Sequence, residues 1–238
     1  MYIDLQTQTH FSDGQLSPTQ LVKLAARHGF RYLAITDHDS VGGVAEAQRA
    51  AKKLRISIIP GVELYSTFCG KELHILGLDI DPQHPPLLRF LADIQTKHRT
   101  WRDRVLEKLE RAGWVVDLKM VLRSRSELLG FAELLSILLR SKKNFRRVQR
   151  DLGTPAPDLF AMIERYFLRG GVAFEPLPEK MLPTPKAIQL IRAAGGKAVL
   201  AHPGQTLAFG DDRLIESLQR CGLEGIEAIT PNHTWHQT

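Results

Sequence analysis

Apolar positions along this chain alternate between short runs of strand type and longer stretches with helical spacing. Tyr2 and Ile3 open an apolar start that runs into a polar segment, residues 4–14. Within it Ser12-Asp13-Gly14 reads as a turn, because Asp bonds its own backbone and Gly supplies positive φ. Ser17 then caps a helix, with Pro18 at the first position, where a missing N–H is harmless. Leu21, Leu24, Ala25 and His28 follow at helical spacing, and Gly29 closes the helix. Residues 31–36 read as a buried strand ending in Asp37-His38-Asp39, and 41–53 as the next helix. A third strand, 55–60, runs into Gly61-Val62-Glu63-Leu64, and a fourth, 72–78, carries His74 inside it. This alternation predicts a parallel α/β barrel or sheet, with its active site at the C-terminal strand ends.

The pattern changes beyond residue 87. Residues 87–112 form a long amphipathic helix rich in Arg and Lys, and 123–150 are helical and strongly basic. The densest charge runs from Ser141 through Lys142, Lys143, Asn144, Phe145 and Arg146 to Arg147. Residues 153–157 break the pattern, 159–169 form another helix, and Pro176, Pro178, Pro183 and Pro185 mark a return linker. The spacing then predicts a helix over 185–194, a strand over 197–201 ending in His202-Pro203-Gly204, a helix over 211–220 and a strand over 225–230. The expected organisation is therefore 1–87 and 181–238 as two parts of one α/β domain, with 88–180 as a helical insert.

Bulk properties add little to this picture. The 238 residues are 43% hydrophobic and 24% charged, ordinary for a globular protein. A formal charge of +6 and a pI near 9.4 favour anionic ligands such as phosphates or nucleic acid. Cys69 and Cys221 are too few for a disulfide framework, and no signal peptide is evident, so a reducing cytoplasm is expected. No apolar run is long enough to span a membrane. There is no nucleophilic Ser or Cys motif and no Gly-rich phosphate loop. The stretches around Trp101 and Trp114 read as helix packing.

The chemistry gathers at the predicted strand ends. Asp13, His38, Glu63 and His202 fall there, and His74 occupies a strand position able to face the same cavity. Each alone is ordinary core-adjacent structure. Together they offer the imidazoles and carboxylates that zinc and other divalent metals take. Gln6 and Gln8 share one face of the first strand, where they present amides instead of imidazoles. Asp37 and Asp39 are expected to orient His38, and His10 to face away into the turn. His28, His84, His98 and His236 read as surface or cap residues, and His233 has two readings, a contact to a substrate phosphate or an exposed loop residue. The basic run from Lys142 to Arg150 has two readings, a solvated helix face or a weak nucleic-acid contact. Phe145 alone is too few aromatics for a stacking platform.

These residues carry a resemblance. Residues 4–14 resemble the first motif of the PHP (polymerase and histidinol phosphatase) superfamily, which reads Asp-Leu-His-x-His and then Ser-Asp-Gly. Residues 33–39 (LAITDHD), 60–64 (PGVEL), 72–77 (ELHILG) and 198–204 (AVLAHPG) are similar to four further motifs, and 225–234 (GIEAITPNHT) to a later strand. The resemblance covers nearly the whole chain. It implies a distorted seven-stranded (β/α) TIM-like barrel with a helical insert, of the stand-alone phosphoesterase, nucleotide phosphatase or exonuclease branch. It further implies a cluster of up to three Mn, Zn or Fe ions on nine side chains. Asp13, His38, Glu63, His74 and His202 match five of these positions. Glu63, His74 and His202 would hold one ion, and Asp13 and His38 part of a second.

The same resemblance marks departures. Gln6 and Gln8 stand at two His positions, and the family's last Asp-x-His pair would lie beyond Thr238, so fewer than three ions are expected. The barrel's last strand would then be missing too. Gly130 stands where the insert often carries a His. The implied activity is hydrolysis of phosphate esters of nucleotides or short oligonucleotides, impaired in this copy. The alternatives are an inactive binding homologue or decayed reading frame, and a basic nucleic-acid-binding module.

Overall fold

The computed structural model describes residues 2–123, 130–176, 182–207 and 211–230. The chain forms two compact units, Met1–Ile94 with Lys180–Thr238, and Gln95–Glu179. The first unit opens with β1 (Tyr2–Asp4), α1 (Pro18–Arg27), β2 (Phe30–Ile35), α2 (Val44–Ala51), β3 (Ser57–Phe68) and β4 (Lys71–Leu78). The long helix α3 (Pro85–Arg111) begins in it and continues in the second unit. That second unit adds α4 (Leu118–Arg123), α5 (Phe131–Leu138), α6 (Lys142–Leu152) and α7 (Leu159–Phe167). The chain then returns through β5 (Leu182–Pro183), α8 (Thr184–Ala193), β6 (Lys197–Leu200), α9 (Asp212–Arg220) and β7 (Gly225–Ile226).

Helix α1 forms for the reasons its sequence advertises. Ser17 accepts from the Gln20 N–H while the Gln20 side chain reaches back to the Ser17 N–H. This reciprocal cap contributes about 1 kcal/mol. Gly29, at φ +81, turns the chain out of the helix. Val22 and Ala25 of α1 pack with Leu33, Ile35 and Ala47 into one buried cluster.

The sheet corrects the parallel expectation. Strand order is β1-β2-β3-β4-β6-β7, with β5 pairing on β3. β1 to β3 run parallel, but β3–β4 and β4–β6 are antiparallel. β6 and β7 are parallel again. The reason lies in β3, which does not stop at Pro60. Its first half, through Pro60, pairs with β2, and its second half, from Gly61 to Phe68, pairs with β4. Pro60 lacks a backbone donor at this changeover between partners. Gly61 is required by crowding: a Cβ there would lie 2.7 Å from Thr36 Cγ2 and 2.9 Å from the Ile35 carbonyl. The point where the third strand was expected to end is thus a splice within one long strand.

Alternation along β3 sets up the site. Val62 and Leu64 are fully buried against Leu73, Ile75, Ile188 and Leu200. Each such side chain contributes about 1.5–3 kcal/mol by burial. Glu63 between them must face the other way. The final strand is short, Gly225–Ile226, and not 225–230. Among the described residues β1 and β7 do not pair, so the sheet is curled and mixed and does not close into a full barrel.

In the second unit, Trp101, Leu109, Trp114, Leu134, Tyr166 and Phe167 share one core. The expected continuous helix over 123–150 is interrupted. α5 ends at Leu138, and Ser141 caps α6 through the Asn144 N–H. His98 is buried beside Trp101, not on the surface, because His98, Trp101, Val105 and Leu109 share the inward stripe of α3. No helix among the described residues is long and apolar enough to cross a membrane.

Candidate active site

Glu63 is the centre of the site. Its side chain is 0% exposed, in the second half of β3, yet it keeps an acceptor for every donor around it. Oε1 lies 2.8 Å from His74 Nδ1 and 3.1 Å from His202 Nε2. Oε2 accepts from Gln6 Nε2 at 2.9 Å and from Gln8 Nε2 at 2.7 Å. An ionised carboxylate only accepts, so both imidazoles present N–H to it and both glutamines present their NH2 ends.

The fold delivers these groups from separate elements. His74 is in β4, opposite Tyr65 and two residues from Leu76, the cross-strand partner of Glu63, so both point to one face. His202 follows β6, where the Ala201 N–H bonds the His74 carbonyl. His38 follows β2, which is extended past its end by one bridge: Asp39 N–H to the Glu63 carbonyl and Glu63 N–H to the Asp37 carbonyl. The His38 ring stacks on Tyr65 at 4.8 Å. Its Nδ1 is 3.9 Å from Glu63 Oε1, and its Nε2 is 3.9 Å from Asp13 Oδ2. Asp13 itself is largely exposed, at the mouth of the site.

Gln6 and Gln8 reach Glu63 from an irregular segment, since β1 stops at Asp4. That segment is braced by Asp37. Its carboxylate accepts from the Thr9 N–H at 2.6 Å, the Thr9 hydroxyl at 2.8 Å and the Ser12 hydroxyl at 2.8 Å. Asp37 therefore holds the N-terminal turn in place of orienting the His38 ring. Gly14 does not take a positive φ; a Cβ there would collide with the Gln8 carbonyl. His10 lies against Phe11, ring centroids 5.0 Å apart, and does not line the cleft.

The electrostatics follow from this packing. Burial alone would raise the Glu63 carboxyl, but hydrogen bonds from His202 and His74, the His38 charge and the Gln6 amide hold it well below the usual carboxylate range. Burial would lower His74, yet the bonds to Glu63 and Glu72 raise it. His38 is lowered, because burial outweighs Glu63 and Asp13.

These groups floor a cleft of about 630 Å³ in the first unit, lined also by Asp4, Gln205, Glu227 and Thr230. Glu227 was not singled out from the sequence. Its Oε2 accepts the His202 N–H at 2.8 Å. His202 takes φ +27, a strained conformation for a residue with a Cβ, and this bond fixes it there. The only signal available was a carboxylate inside the apolar run Gly225-Ile226-Glu227-Ala228-Ile229. His233 lies outside the described residues.

The donor set is of the kind a divalent ion takes. One ligand atom each from His38, Glu63 and His74 lie within 4.8 Å of one another, and His202 joins them at Glu63 Oε1. Imidazole with carboxylate is the ligand chemistry of zinc and of first-row transition ions. On the Oε2 side, Gln6 and Gln8 present donors where a second ion would need lone pairs.

A model of the PHP domain matches residues 4–153. The chain belongs to the PHP family. A 5′-3′ exoribonuclease of Haemophilus influenzae is 32% identical over 236 residues, spanning 98% of this chain and 81% of its own length. A 3′,5′-nucleoside bisphosphate phosphatase of Chromobacterium violaceum is 31% identical over 237 residues, spanning 98% of this chain and 78% of its own. The solved structure of an amidohydrolase from Chromobacterium violaceum, with bound sulfate and no metal, shares the fold. Its TM-score is 0.73 at 30% identity, covering 99% of this PHP chain and 79% of that one.

Proposed function

We propose that this PHP protein hydrolyses phosphate esters of nucleotides or short oligonucleotides with one divalent ion, Mn, Zn or Fe. Glu63, His74 and His202 would hold the ion, with His38 and Asp13 beside it. The observation that carries this reading is the buried Glu63 carboxylate, with two imidazoles at 2.8 and 3.1 Å, on the floor of an open cleft. A bound divalent ion supplies Lewis acidity toward a phosphoryl oxygen. The chain's own residues do the rest. Glu63 orients the His74 and His202 rings, whose nitrogens facing Oε1 would give up their protons to take the ion, and Glu227 holds the His202 backbone. Asp13 stands at the mouth with His38 mostly buried behind it, and His233 would contact the substrate phosphate. No separate general base is assigned.

Relatives named as an exoribonuclease and a nucleoside bisphosphate phosphatase support the substrate class. Turnover is expected to be weak, because Gln6 and Gln8 cap Oε2 with N–H groups where the family motif has imidazoles. That same saturation favours a second reading, a binding homologue whose carboxylate is satisfied without metal. An Mn²⁺-supplemented assay on nucleoside 3′,5′-bisphosphates and short oligonucleotides separates the two. Release of phosphate or mononucleotide that disappears in EDTA and in Glu63→Gln supports the enzyme. Absence of turnover with every ester under Mn²⁺, Zn²⁺ and Fe²⁺ leaves the binding homologue.

A further inference from the structure

The second unit carries a feature that the cleft does not use. Along α6, Lys143, Arg146, Arg147 and Arg150 recur at three- and four-residue steps, so they share one face of the helix. Like charges at this spacing repel, and a merely solvated face would mix signs. The adjoining face is fixed inward. Val148 is buried, and the Asn144 side chain bonds the Val115 N–H, the Val115 carbonyl and the Leu138 carbonyl. The cationic face is concave. With Asn144 and Gly113 it lines a recess of about 380 Å³, and nothing lies within 4 Å of where a Gly113 Cβ would be. Arg147 is held in place by the Ala112 carbonyl at 2.7 Å and by the Trp114 ring below it. Asp151 offsets part of the charge, pairing with Arg147 and Arg150 at 3.6 and 3.7 Å. Lys143 and Arg146 make no ion pair among the described residues.

We propose that this face is a binding site for the phosphodiester backbone of single-stranded nucleic acid. A row of cations in a groove matches a row of phosphates. An acidic membrane is disfavoured, because Val148 is buried and the one exposed apolar side chain of α6, Phe145, is too little to insert. The site goes beyond the reading of the cleft and shares no residue with it.

The test is fluorescence anisotropy of the full chain with a short labelled single-stranded oligonucleotide in EDTA, across about 50 to 200 mM salt. EDTA removes the ion the cleft needs, so the result does not depend on hydrolysis. The expected result is binding that Lys143→Ala with Arg146→Ala weakens by roughly tenfold or more at the low-salt end. The slope of log affinity against log salt should shallow by about 1.4, at about 0.7 per phosphate released. Lys23→Ala with Lys53→Ala, in a separate cationic recess of the first unit, should leave affinity within about twofold. Three results would overturn the proposal: no binding by the unaltered chain, equal binding by the Lys143/Arg146 variant, or equally tight binding to polyglutamate or acidic-lipid vesicles.

Discussion

Two amides define this copy of the site. Gln6 and Gln8 approach one oxygen of Glu63 while His74 and His202 approach the other, so the carboxylate is fully used before any ion arrives. Removing that acceptor strands several buried donors. Glu63→Gln in EDTA should lower unfolding free energy by about 1–3 kcal/mol, the cost of leaving such groups unpaired. A denaturant melt matching the unaltered chain would show that the network contributes nothing. Restoring Gln6→His and Gln8→His should raise hydrolysis of a bisphosphate substrate and increase the ions bound per chain; unchanged activity and metal content would place the deficit elsewhere. The placement of the site was largely legible, since Asp13, His38, Glu63, His74 and His202 line one cleft as their positions at and near strand ends suggested. Glu227 was not legible, because its role is to accept a backbone N–H, and backbone partners leave no residue pattern. The roles of Asp37 and His98 were misread for a related reason: each is set by neighbours distant in sequence.

The elements show where local rules prevail and where the sheet overrides them. Ser17, Gln20 and Gly29 mark α1 from sequence because caps act over three or four residues. The third strand, expected to end at Pro60, runs on to Phe68 because β2, β3 and β4 meet there, which no local window contains. Gly61→Ala should destabilise by about 1–3 kcal/mol through overpacking against Thr36 and Ile35. A neutral melt would mean that the strands have room to shift. In the second unit, burial and the hydrogen bond to Asp151 push the Tyr166 hydroxyl up to about 12 from 10.0. A raised value means that the fold favours the protonated phenol. That contribution is intact below pH 10.0 and is lost as pH rises toward about 12. The melting temperature of Tyr166→Phe should therefore fall less steeply over that interval than that of the unaltered chain, and parallel curves would remove the argument.

The molecule as a whole divides its chemistry between its two units. The first holds carboxylates and imidazoles at a cleft, and the second holds a cationic face, consistent with a formal charge of +6. Family membership was legible because the motifs sit on the strands and turns that build the cleft. The mixed sheet was not, because strand–helix alternation predicts the presence of strands and leaves the direction of β4 open. Everything functional turns on whether Glu63, His74 and His202 hold an ion despite the two amides. Metal content per chain, measured on protein purified without chelator and compared with Glu63→Gln, decides this. The expected result is one divalent ion per chain, lost in the variant; two or three tightly bound ions, or none at all, would contradict it.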